Sequence, residues 1–80
     1  MSEIYQEYAT TDIILAAVLR EGGYDLDRIK IDRRTGIFYF LNVDKEILQN
    51  YDTGKLCVEP VSFNNAIKTL TTAVKRQIDV

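Results

Sequence analysis

Leu26 to Val43 reads LDRIKIDRRTGIFYFLNV, and this stretch decides the fold. Leu26, Ile29 and Ile31 alternate in part with charged residues, as the side chains of a half-buried strand do. Asp32 to Gly36 is expected to turn the chain, with Arg34-Thr35-Gly36 as its punctuation. Ile37 to Val43 then supplies the aromatic and aliphatic run of a second strand. Side chains alternate across a strand, so Phe38 and Phe40 share one face and Ile37, Tyr39 and Leu41 the other. Both faces are apolar, so both are expected to be covered at least in part. A β-hairpin is therefore the centre from which the rest is placed.

Upstream, Thr11 to Glu21 is expected to be a helix, capped by Thr10 or Thr11, helped by Asp12 in its first turn and stopped by Gly22. Its run Ile13-Ile14-Leu15-Ala16-Ala17-Val18-Leu19 is apolar on every side rather than along one stripe. Such a helix must be wrapped by its own domain or pressed against a second subunit. Downstream, a short helix from about Val43 to Asp52 would be capped by Asn42 or Asp44. Ile47, Leu48 and Tyr51 would form its inner face, and Gly54 would end it. Leu56-Cys57-Val58 could add a third strand. Glu59-Pro60 opens a final helix, since proline suits a first-turn position where no N–H is needed. Phe63, Ala66, Ile67, Leu70, Val74 and Ile78 form its buried stripe, with Asn64, Lys68, Thr71 and Lys75 on the other side. The expected class is α+β: helix, β-hairpin, short helix, possible third strand, and a long C-terminal helix packed on the sheet. All of it belongs to a single domain over residues 1–80.

Eighty residues bury only about 60% of the unfolded surface, so the core must be efficient or shared. Ten basic residues against twelve acidic ones set no global field towards nucleic acid or anionic lipid. A single cysteine forbids an internal disulfide and favours a reducing compartment. The start, with Glu3 and Glu7 and no cation before Thr10, does not read as a signal peptide. The longest apolar run is seven residues, far short of a bilayer span. Cytoplasmic localisation is the expectation.

Catalytic chemistry has little to work with. There is no histidine, the usual general acid-base near neutral pH and a common zinc ligand. Cys57, between Leu56 and Val58, reads as a small buried thiol rather than a nucleophile. Asp25, Asp27 and Asp32 read as a solvated hairpin end and lack calcium-loop spacing. Gly22-Gly23 ends a helix and is followed by no lysine, so it is no phosphate loop. No catalytic residue, metal site or cofactor is expected. Arg28, Lys30, Arg33 and Arg34 cluster on the hairpin beside Phe38, Tyr39 and Phe40, the pairing that a single-strand-binding surface uses. Asp27 and Asp32 offset half of that charge, and aromatics in so apolar a strand are more often core. Lys68, Lys75 and Arg76 read most simply as the wet side of the last helix.

Tyr8-Ala9-Thr10-Thr11-Asp12, with Leu15-Ala16-Ala17 and Gly23-Tyr24 after it, carries a resemblance. Phe38-Tyr39-Phe40, Tyr51-Asp52-Thr53-Gly54, Val58-Glu59-Pro60 and Phe63-Asn64-Asn65-Ala66 extend it. Over Tyr8 to Val74 the chain resembles a family of small bacterial and phage proteins of unknown function. That family reads Tyr-x-Thr-Thr-Asp, a Leu-Ala-Ala helix, a Phe-x-Phe strand, a Tyr-x-x-Gly helix end and an Asp-Pro helix start. Glu59 stands here in place of that aspartate. The resemblance implies a stand-alone domain from phage or mobile-element surroundings, with no activity attached. The function expected is thus a non-catalytic interaction module that binds protein, itself first as a homodimer, with no membrane and no small-molecule substrate. The alternative is a nucleic-acid-binding module. The candidate surface is Arg28, Lys30, Arg33, Arg34, Asn64, Lys68 and Lys75.

Overall fold

The computed structural model describes residues 6–79; of the acidic start, residues 1–5 with Glu3 lie outside the described residues. Along the chain come β1 (Glu7–Thr10), α1 (Ile13–Glu21), β2 (Leu26–Asp32), β3 (Thr35–Leu41), α2 (Lys45–Asp52) and α3 (Pro60–Ile78). The strands form one antiparallel sheet in the order β1-β3-β2. The α+β class holds, and the long last helix packs on the sheet.

The third strand is not where the sequence suggested. Leu56-Cys57-Val58 is irregular, and the strand beside β3 is Glu7–Thr10 instead. Its four residues face alternately out and in, with Tyr8 packed against the core. Asn42 caps no helix either. It sits at φ +55, a left-handed conformation that asparagine tolerates, and extends the β1–β3 pairing. Its N–H donates to the Gln6 carbonyl at 2.8 Å, and its side-chain oxygen accepts from the Gln6 N–H at 3.0 Å.

A bulge between Leu26 and Arg28 leaves Asp27 outside the ladder. The extra residue explains why Leu26 and Ile29, three apart, both reach the core. It also puts Arg28 on the outer face, directly opposite Tyr39. The hairpin turn is tighter than Asp32 to Gly36: Asp32 pairs with Thr35, so the loop is Arg33-Arg34 alone.

α1 starts two residues later than expected, because Asp12 and not a threonine is its cap. The Asp12 carboxylate accepts from the N–H groups of Ile14 at 2.9 Å and Leu15 at 3.3 Å. The stop is shifted as well. Gly22 is right-handed, and Gly23 at φ +88 takes the left-handed position. Bonds from Tyr24 N–H to the Leu19 carbonyl and from Gly23 N–H to the Arg20 carbonyl, each 3.1 Å, complete a Schellman closure. α2 ends the same way, with Gly54 at φ +72.

Leu15, Ala16, Ala17, Val18 and Leu19 are all buried. Five successive residues at 100° intervals go right round a helix. The domain therefore covers most of the apolar circumference of α1 by itself, leaving Ile14 42% exposed. α3 lies against it, the small Ala16, Ala17 and Ala66 belonging to the same buried cluster as Leu70. Phe38 and Phe40 complete that cluster from the sheet. Ile37, Tyr39 and Leu41 lie outside it, half-buried on the outer face.

Candidate functional site

The aromatic residues that could have stacked on bases are mostly out of reach. Phe38 and Phe40 are 2% and 0% exposed, so they are core. Tyr39 does face outward, but its ring is occupied: the Arg28 guanidinium lies 4.1 Å from its centroid and the Lys30 ammonium 5.5 Å. Arg28 is held there by a two-pronged ion pair to Glu7 across the sheet, at 2.8 and 3.2 Å, and by Asp27 beside it. Hydrogen bonds from Arg28 hold the Glu7 carboxyl below its ordinary range, and the same bonds push Arg28 further up. Arg28, expected on the binding surface, is thus a tie between the two edge strands over the central one.

Arg33 and Arg34 are differently placed. They form the whole of the hairpin loop, both exposed, at φ +50 and +66. Positive φ at both central residues is what a type I′ turn requires, and Asn-Gly normally supplies it. Side chains such as arginine avoid this region at a cost of about 1–2 kcal/mol per residue. Among the described residues neither arginine has an ion-pair partner.

α3 brings more cations to the same end. It begins at Glu59, whose carboxylate accepts from the Ser62 N–H at 2.6 Å and is thereby held below its ordinary range. It then runs along the domain until Val74 meets Gly36, next to the hairpin loop. A β-carbon on Gly36 would sit 2.7 Å from a Val74 methyl, so only glycine admits the helix this close. Lys75 and Arg76 follow directly, and Lys68, Thr69, Thr72, Ala73 and Arg76 line a shallow groove of about 310 Å³ on the helix. The Gly36–Val74 contact thus brings the end of α3 with Lys75 beside the loop of Arg33 and Arg34, with Lys30 on the outer sheet face of the same hairpin, while Lys68 lines the groove on a face of the helix turned away from Val74. Asn64 stands near the opposite end, in the first turns of α3, and does not join them. Arg76 lies in the last turns of α3 but, with Lys68, lines the groove on the exposed side, as a wet-side residue does.

Among the described residues, the hairpin tip and the last turns of α3 carry Lys30, Arg33, Arg34, Lys75 and Arg76 against Asp32 and Asp79.

The other end carries a cleft of about 290 Å³ between α1, α2 and the segment before α3. Val18, Ile47, Leu56 and Val58 line it, with Glu21 and Glu59 also on its wall. Cys57 lies there too and is exposed, which corrects the buried thiol read from its apolar neighbours. The short segment is no strand, so nothing inserts it into the core. Among the described residues no helix is long and apolar enough to cross a membrane. Compared with known proteins, the chain matches no family model, no curated protein and no solved structure.

Proposed function

We propose that this protein is a non-catalytic binding module whose basic end, formed by the hairpin loop and the C-terminal turns of α3, holds the phosphate backbone of nucleic acid. The observation that carries the reading is the arginine pair in a left-handed loop. Residues held in a sparsely populated conformation point to a use that outweighs their cost. Here the costly residues are the two most prominent cations of a cationic end. The surface offers charge without a free aromatic platform, so it suits backbone contact better than the reading of bases. The resemblance to small bacterial and phage proteins belongs to this proposal as context, and genomic neighbourhood tests it.

The test is a double substitution that separates fold from function. Arg33→Asn with Arg34→Gly gives the loop its preferred residues and should stabilise the domain by about 1 kcal/mol. The same variant should lose binding to a labelled oligonucleotide. For the wild type, the logarithm of affinity should fall linearly with the logarithm of salt, with a slope of about −0.9 per duplex phosphate neutralised. If the wild type and the variant are equally inert at low salt, the proposal fails. If poly-glutamate binds as well as the oligonucleotide, the partner is an acidic protein.

A further inference from the structure

We infer that the acid-walled cleft is a docking site for the basic hairpin loop of a second copy of this chain. The cleft offers an apolar floor of Val18, Ile47, Leu56 and Val58 beside the carboxylates of Glu21 and Glu59. Glu59 is held below its ordinary range by the backbone donors it caps, so it stays charged through the physiological range. Its oxygens still present negative charge at the cleft. The ligand such a place fits has an aliphatic body and a cationic head. An arginine side chain is that ligand: its stem lies on hydrocarbon while the guanidinium meets carboxylate.

The same chain displays two such side chains on a projecting loop, Arg33 and Arg34, exposed and without an ion-pair partner among the described residues. They cannot reach the cleft of their own molecule. Glu59, on the cleft wall, precedes the first residue of α3, and Val74, beside the loop, lies fourteen residues further along that helix. At 1.5 Å per residue the two ends stand about 21 Å apart. The contact must therefore be between molecules. Loop and cleft are different surfaces: made in one sense the contact joins copies into rings or filaments, and made reciprocally it closes a two-fold dimer. Val58, 40% exposed, and Val61, 66% exposed in the first turn of α3, extend the apolar surface at this end.

The experiment is complementation followed by sedimentation. Arg33→Asn with Arg34→Gly removes the loop's cations and keeps the cleft. Glu21→Arg with Val58→Arg spoils the cleft and keeps the loop; both positions are exposed or at a helix end that favours cations, so folding is retained. Wild type should grow in average mass as concentration rises into the high micromolar range, and the growth should shrink with added salt. Each variant alone should stay monomeric. An equimolar mixture should give a heterodimer of twice the monomer mass and nothing larger, because one loop and one cleft remain between two molecules. A monomeric wild type overturns the inference. So does a mixture that fails to pair, or a dimer indifferent to both variants. The cleft variant also keeps this inference apart from the nucleic-acid reading: it should abolish assembly without loss of oligonucleotide binding.

Discussion

The two faces of β3 are made from one run of seven residues, and they end in opposite surroundings. Phe38 and Phe40 are sealed under α1 and α3. Ile37, Tyr39 and Leu41, as apolar in composition, look out half-buried from the other side, with only their own sheet to cover them among the described residues. Arg28 and Lys30 lie over Tyr39 from the neighbouring strand, and Glu7 closes from the other edge. An apolar strand face therefore asks for cover but does not specify its kind. Hydrocarbon from a helix and the stems of tied cations both serve, and they hold the face with very different strength.

Truncating one residue on each face measures that difference most directly. Phe40→Ala should cost about 3–5 kcal/mol, because the surrounding helices cannot collapse into the space. Tyr39→Ala should cost clearly less, since water can follow the missing ring. Denaturant midpoints decide it, with Phe40→Leu as a gentler companion should the alanine variant not fold. Equal losses would mean that the outer face is as firmly covered as the inner one.

The cover over the inner face can be tested from the helix side. Leu70 is fully buried in α3, while Lys68 on the same helix is exposed. Leu70→Ala should lose about 2–5 kcal/mol. Lys68→Ala should stay within about 0.5 kcal/mol. The same midpoints apply, and similar losses for the pair would misplace the helix face.

Near the loop the inner face is held by contact rather than by bulk. Gly36→Ala would drive a β-carbon into Val74, a β-branched side chain with little rotamer freedom. The overpacking should cost about 1–3 kcal/mol. Val74→Ala in the same chain should relieve it, so the double variant should be more stable than the two single losses predict. Strict additivity in a double-mutant cycle would show that helix and hairpin do not meet there.

The inner face was legible in the sequence because its signals are local or periodic. The stripe from Phe63 to Ile78, the Gly22-Gly23 and Gly54 stops and the alternation of Phe38 and Phe40 each speak within one element. β1 was not legible, because four residues alternating once, Tyr8 and Thr10 inward, look like any tail until β3 offers them an edge. The candidate site divides the same way. Arg33 and Arg34 were visible as a basic loop, though not their left-handed backbone. The withdrawal of Arg28 depends on Glu7, twenty-one residues away, and the arrival of Lys75 and Arg76 on the Gly36–Val74 contact. Long-range pairings of this kind leave no periodic trace.

The outer face has one property that the inner face lacks, and it should show with acid. Its cover depends on Glu7 being charged. Hydrogen bonds from Arg28, its largest influence, lower the pKa of the Glu7 carboxyl in the folded chain relative to the unfolded one. The unfolded chain therefore binds the proton first as pH falls. The contribution of the tie is present above the ordinary glutamate value of about 4.3, and it is lost as pH drops through the lower folded value. Both partners are exposed, so the effect is small and weakened by salt. Glu7→Gln should leave the domain slightly less stable than wild type at neutral pH, with the gap closing in acid. Arg28→Gln should produce the same gap and the same closure, and combining the two should add little. Glu59, lowered by its cap on Ser62, titrates in both chains and cancels from the comparison. Unfolding midpoints across the acid range provide the reading. A gap that persists unchanged into acid would mean that shape and the cation over Tyr39, rather than the Glu7 charge, hold the outer face.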